Sequence, residues 1–234
     1  MNINDILYCP LDLPPIPKTF TRENINSYYD FFPITDPKKI ESMRNSNSTG
    51  YQSMLFWKIV FLRKLQGLPK NASTWVSQFN DGDWQWADVL KNNFPELINW
   101  IETNLPFKTF KYAIALSSIG TIPEHNDMSA LTPRHIVDLA KLQDPSFYRL
   151  HLDGPLIDNG FYIKNDTVGK KYTQQPKDSP GWVMSSSYCN HGNDDNRSDN
   201  KILAYVMGDL DYDRHRELVI RSYEKYKEYA ILNK

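Results

Sequence analysis

The sequence predicts an α+β chain whose mainly β core is of jelly-roll type, with a helical N-terminal layer and a C-terminal helix. Three observations predict it. After Lys108, short runs rich in β-branched and aromatic residues are separated by Gly, Pro, Asn and Asp, as in an antiparallel sandwich or jelly roll. The hundred residues before them carry apolar clusters at roughly helical spacing. The chain closes on "DRHRELVIRSYEKYKEYAIL", a charged segment with its apolar residues on one side, which reads as a surface helix.

Taken in order, "CPLDLPPIPKTF" is punctuated by proline and reads as an extended segment draped over a surface. "YQSMLFWKIVFLRKL" (51–65) is read as a helix stopped by Gly67 and Pro69. "DWQWADVLKNN" and "FPELINWIETN" follow as two short helices limited by Pro95 and Pro106. The strands expected next are "FKTFKYAIALSSIG", "FYRLHLDGPL", "GFYIKND", "GWVMSSSYCNHG" and "KILAYVMGDL". One helix interrupts them at "TPRHIVDLAKLQ" (132–143), with Thr132 as N-cap and Pro133 at the first helical position. These readings divide the chain into a helical layer (1–104), a β core (105–210) and a closing helix (211–234), packed as one compact unit.

Composition excludes several classes of function. The net charge of −1, with both signs spread along the chain, leaves no one-sided basic footprint for nucleic acid. No polybasic tail suggests membrane docking, and the longest apolar segment, "SMLFWKIVFLRKL", is too short and too charged to cross a bilayer. The N-terminus does not resemble a signal peptide, so a cytoplasmic protein is expected. Two cysteines, Cys9 and Cys189, make no disulfide framework, and Cys189 reads as a small buried hydrophobe. The polar run "NHGNDDNRSDN" lacks the spacing of a calcium loop and reads as solvated.

The stretch "TIPEHNDMSA" (121–130) carries chemistry. In an extended chain, residues i and i+2 share a face, so His125 and Asp127 can aim an imidazole and a carboxylate at one ion. A histidine from another strand would complete a two-histidine, one-carboxylate facial triad, a set suited to ferrous iron with open positions for oxygen chemistry. His135 and His215 fall on expected helices among charged neighbours and read as surface residues. His151 lies within "YRLHLDG", whereas His191 ends a strand, at the edge of an element like His125 and Asp127. Lys201 opens the apolar strand "KILAYVMG", in which Lys201, Leu203 and Tyr205 alternate with Ile202, Ala204 and Val206. A cation on an inward face needs an anion beside it, and a dicarboxylate would serve.

The succession of "LPFKTFKYAIALSSIGTIPEHND", "YRLHLDGPL", a Trp-containing strand running into "NHG" and a cation ten residues later in "KILAYVMG" resembles the aspartyl/asparaginyl β-hydroxylase-like branch of the Fe(II)/2-oxoglutarate-dependent dioxygenases. The resemblance spans roughly residues 94–210. It implies a double-stranded β-helix, a cupin-like jelly roll, with His125, Asp127 and His191 as iron ligands. It further implies that Arg149 and His151 face the cosubstrate, and that Lys201 holds the distal carboxylate of 2-oxoglutarate. Lysine there departs from the usual arginine, and Arg197 is the nearby alternative. Eukaryotic members of the branch have glycine where this chain has Asp127, and "ALTPRHIVDLAKLQDPS" is an insertion that looks like a lid or a substrate-selecting element. The implied activity is hydroxylation by O2 of an unactivated C–H bond, in an amino-acid side chain of a small molecule or peptide, with release of succinate and CO2. Two alternatives are a cupin-type metal enzyme that uses no keto acid, and a non-catalytic jelly-roll binding module. The first normally brings a His-x-His set, which is absent.

Overall fold

Alternation of apolar side chains across a strand decides most of the architecture. The computed structural model describes residues 2–30, 38, 41, 57–67, 82–118, 124–127, 147–154, 160–186, 188–194 and 201–234. Its strands are β1 (Ile6–Pro10), β2 (Trp57–Leu65), β3 (Trp84–Trp86), β4 (Phe107–Ser118), β5 (Tyr148–Asp153), β6 (Phe161–Asn165), β7 (Gly169–Tyr172), β8 (Gly181–Met184), β9 (Asn190–Asn193), β10 (Ile202–Leu210) and β11 (Ile231–Leu232). The helices are α1 (Asp88–Asn93), α2 (Pro95–Asn104) and α3 (Tyr212–Tyr226). Eight strands form one sheet in the order β11-β1-β8-β5-β10-β4-β2-β3, and three form a small sheet, β7-β6-β9. Strand pairing is antiparallel throughout both sheets among the described residues. The described residues are therefore mainly antiparallel β with few helices, in keeping with the jelly-roll expectation.

β10 shows how the two faces divide. Ile202, Ala204 and Val206 enter the larger core with Ala113 and Ala115 of β4, Leu97 and Ile101 of α2, and Val219 of α3. Tyr205 turns to the opposite face, beside Ile114, Leu116 and Phe147. Further along that face Trp182 and Met184 of β8 meet Ile163 of β6, so the small sheet covers it. The site described below lies between the sheets. Gly181 permits the close approach of β8 to β5, because a Cβ there would stand 2.4 Å from the Arg149 carbonyl oxygen.

Several expectations are corrected. Residues 57–65 form a strand, because Ile59 packs into one core while Val60 and Leu62 pack into the other. A strand buried on both faces is a continuous apolar run, which periodicity alone does not separate from a helix. "DWQWADVLKNN" divides into β3 and α1, whereas α2 forms as expected with Pro95 in its first turn. "CPLDLPPIPKTF" is extended as expected but not draped over a surface: Cys9 and Pro10 end β1, a buried strand between β8 and β11, and Leu11, Leu13, Thr19 and Phe20 beyond it are buried. Thus strands from the first hundred residues complete the main sheet, and that part of the chain is not a purely helical layer. "GWVMSSSYCNHG" is two strands, β8 and β9, in different sheets.

α3 forms as expected, capped by Asp211, whose carboxylate accepts from the Arg214 N–H. His215 on it is buried rather than exposed, its Nδ1 hydrogen-bonded to the Tyr148 hydroxyl. The expected helix at 132–143, including His135, lies outside the described residues. Cys9 and Cys189 are buried and unlinked. Among the described residues, no helix is long and apolar enough to cross a membrane.

Candidate metal centre

Residues 124–127 run alongside β9. The His125 N–H donates to the His191 carbonyl at 2.9 Å, and the His191 N–H donates back to His125 at 2.6 Å. This reciprocal pair sets the two histidines directly opposite each other, with ring centroids 4.4 Å apart. Two residues on, the Asp127 N–H donates to the Ser186 carbonyl at 3.0 Å, holding the segment in place. Asp127 Oδ1 stands 3.5 Å from His191 Nε2 and 4.0 Å from His125 Nε2. The ligand atoms of all three residues lie within 4.8 Å of one another. Neighbouring ligands on a first-row cation, each ~2.1 Å from it, stand roughly 3–4 Å apart, so the three atoms approach what such an ion requires.

The alternate side chains point outward. Glu124 accepts from Lys164 Nζ at 3.0 and 3.2 Å, from Tyr162 Oη at 3.3 Å and from Asn190 Nδ2 at 3.2 Å. Residues of β6 and β9 therefore grip the outer face of the segment whose inner face carries His125 and Asp127. The sequence offered no clear signal for this, since Tyr162 is buried beside Ile163 and only Lys164 of the three is exposed.

Arg149 is only 2% exposed and donates from Nη2 to Asp127 Oδ2 at 3.2 Å. Its Nη1 donates to the Phe147 carbonyl at 3.2 Å, and the guanidinium lies 5.2 Å from the Tyr205 ring centroid. Arg149 thus engages one carboxylate oxygen and leaves Oδ1 to the histidines. His151, two residues along β5 and half-buried, sits opposite Leu203 in the strand pairing. Lys201 is half-buried and immediately precedes β10, where an irregularity in pairing falls between Ile202 and Leu203. Arg197 and the 130–146 insertion lie outside the described residues.

The electrostatics favour a ligating form. Burial pushes His191 down to about 3, against the attraction of Asp127, so its imidazole is neutral at neutral pH. Burial would raise the Asp127 carboxyl, but its charged surroundings, with the Arg149 guanidinium 3.2 Å away, hold it below the ordinary range. A neutral His191 imidazole and an ionised Asp127 carboxylate therefore face each other at the point that His125 Nε2 also approaches. Burial raises Cys189 to about 11, and it packs among Trp182 and Met184 as an inert thiol.

No family model matches the chain, and no curated protein sequence matches it. Among solved structures, an oxidoreductase of the 2OG-Fe(II) oxygenase family from Burkholderia pseudomallei is similar at a TM-score of 0.35 and 9% identity, over 74% of this chain and 80% of that one. So faint a likeness decides nothing about chemistry. The three converging side chains have to.

Proposed function

We propose that the chain is an Fe(II)- and 2-oxoglutarate-dependent oxygenase that hydroxylates an unactivated C–H bond. The observation that carries this reading is the convergence of His125, Asp127 and His191, from two separate segments, within 4.8 Å. The donor set fits ferrous iron, which His125, Asp127 and His191 would hold while leaving it able to take up a keto acid and O2. The bound metal would supply oxygen activation, coupled to oxidation of the keto acid to succinate and CO2.

The chain's own residues prepare for this. Burial keeps His191 deprotonated. Arg149 fixes the orientation of the Asp127 carboxylate, as hydrogen-bond partners of metal ligands commonly do. The outward grip on Glu124 holds His125 in register with His191. Lys201, with Arg197 as its alternative, is proposed for the distal carboxylate of the keto acid, and Arg149 and His151 for the cosubstrate side of the site. An amino-acid side chain as substrate, in a small molecule or peptide, rests on the resemblance in motif order alone.

The test is anaerobic addition of Fe(II) and 2-oxoglutarate, followed by the visible charge-transfer band of the chelate. His191→Ala should abolish the band, and Lys201→Ala should weaken keto-acid binding while leaving metal bound. A protein that takes up neither Fe(II) nor Mn(II) with 2-oxoglutarate present sinks the proposal.

A further inference from the structure

Trp182 is 6% exposed, and its indole Nε1 is buried with no hydrogen-bond partner among the described residues. Elsewhere the same group is satisfied, as in Trp86, whose Nε1–H donates to Glu102 at 2.7 Å. An indole nitrogen can only donate, so Trp182 carries a desolvated donor that nothing among the described residues receives. Trp100 Nε1 is also buried without a partner, but it lies in the core on the other side of the main sheet.

Position singles out Trp182. It stands directly opposite Arg149 in the β5–β8 pairing, and side chains so paired share one face of the sheet. Arg149 touches Asp127. On its other side the Trp182 ring meets Phe161 at 6.4 Å between centroids, and Phe161 meets His191 at 6.1 Å. Trp182 thus neighbours two residues that each touch the metal cluster. Buried donors without partners cost stability, and they are retained where a ligand completes them.

We propose that Trp182 Nε1–H donates to a carboxylate or keto oxygen of the acidic cosubstrate when it binds beside the metal cluster. This rests on the oxygenase reading above and adds a binding residue to it. Trp182→Phe keeps the ring and deletes the donor, so binding and stability should respond differently. The unliganded variant should unfold at the same temperature as the wild type or a higher one, because a desolvated donor has gone. Zinc affinity should be unchanged. Binding of 2-oxoglutarate to the zinc-loaded protein should weaken about ten- to hundredfold, the loss typical of a hydrogen bond to a charged acceptor.

A second measurement uses the wild type directly. The chain has six tryptophans, and the indole N–H resonance missing from Trp182→Phe identifies that of Trp182. It should shift downfield when 2-oxoglutarate is added to the zinc-loaded protein and not when zinc is added alone. If the keto acid binds while this resonance stays put and the variant binds equally well, the inference falls and the oxygenase reading survives. A variant that loses zinc along with the keto acid also overturns it, since Trp182 would then be packing the metal cluster. A zinc-loaded wild type that binds no 2-oxoglutarate removes both.

Discussion

Replacing Arg149 with methionine tests whether the guanidinium is bound to the triad. Arg149 is 2% exposed, the Asp127 side chain is 19% exposed, and their nearest atoms are 3.2 Å apart. At an effective dielectric of ~20, that separation corresponds to roughly 5 kcal/mol of attraction. Methionine recovers part of this because it no longer desolvates a cation. Removing one partner from a buried pair usually costs 3–5 kcal/mol, and the partial exposure of Asp127 places this case at the lower end, about 3 kcal/mol. For a chain of this size that lowers the midpoint of thermal unfolding by roughly 6–12 °C.

The assay is denaturant unfolding of the metal-free protein for Arg149→Met, Asp127→Asn and the double variant. Each single change leaves a buried charge without its partner, so the double variant should be little worse than the worse single. A coupling of at least about 1.5 kcal/mol is expected. Losses that add to within about 0.5 kcal/mol would refute the pairing and leave Arg149 available to the cosubstrate alone.

Two further outcomes follow from the same geometry. His191 titrates near 3 when folded, against an ordinary 6.5 when unfolded, so between those values the unfolded chain takes up a proton that the folded chain refuses. Stability of the metal-free protein is therefore full above about pH 6.5 and falls by about 1.4 kcal/mol per unit as pH drops toward 3; His191→Asn should remove that slope, and identical slopes between pH 6.5 and 5 would contradict it. Glu124→Gln weakens the outer grip on residues 124–127, so amide exchange at His125 and His191 should quicken roughly two- to fivefold with little change in overall stability. Unaltered exchange at both amides would show that the backbone pairing holds without Glu124.

The strands after Phe107 were legible because their faces differ. Ile163 is buried and Lys164 beside it is exposed, and Ala204 and Tyr205 enter different cores. β2 was not, since Ile59, Val60 and Leu62 are all buried and give no alternation to read. β1 was hidden by the prolines that follow it, with Pro10 itself as its last residue. β7, "GKKY", is exposed along its whole length and is defined only by its pairing with β6. In the site, spacing was enough to put His125 beside Asp127, and the end of a strand singled out His191. The destination of Arg149 was beyond reach, because its contact with Asp127 depends on how the two sheets face each other. The same holds for Trp182.

Asp127 explains why the site lies where it does. His125 and His191 are joined by reciprocal backbone hydrogen bonds alongside the small sheet. Asp127 belongs to the same segment, yet its Oδ2 receives the guanidinium of Arg149 from β5 of the large sheet. The carboxylate therefore faces in two directions, one oxygen to the imidazoles and the other across the gap between the sheets. Glycine in its place would remove both contacts and leave Arg149 buried without this anion. In this chain the carboxylate has a structural reason to persist, independent of any metal, and a cation bound at Oδ1 would sense the packing of the two sheets directly.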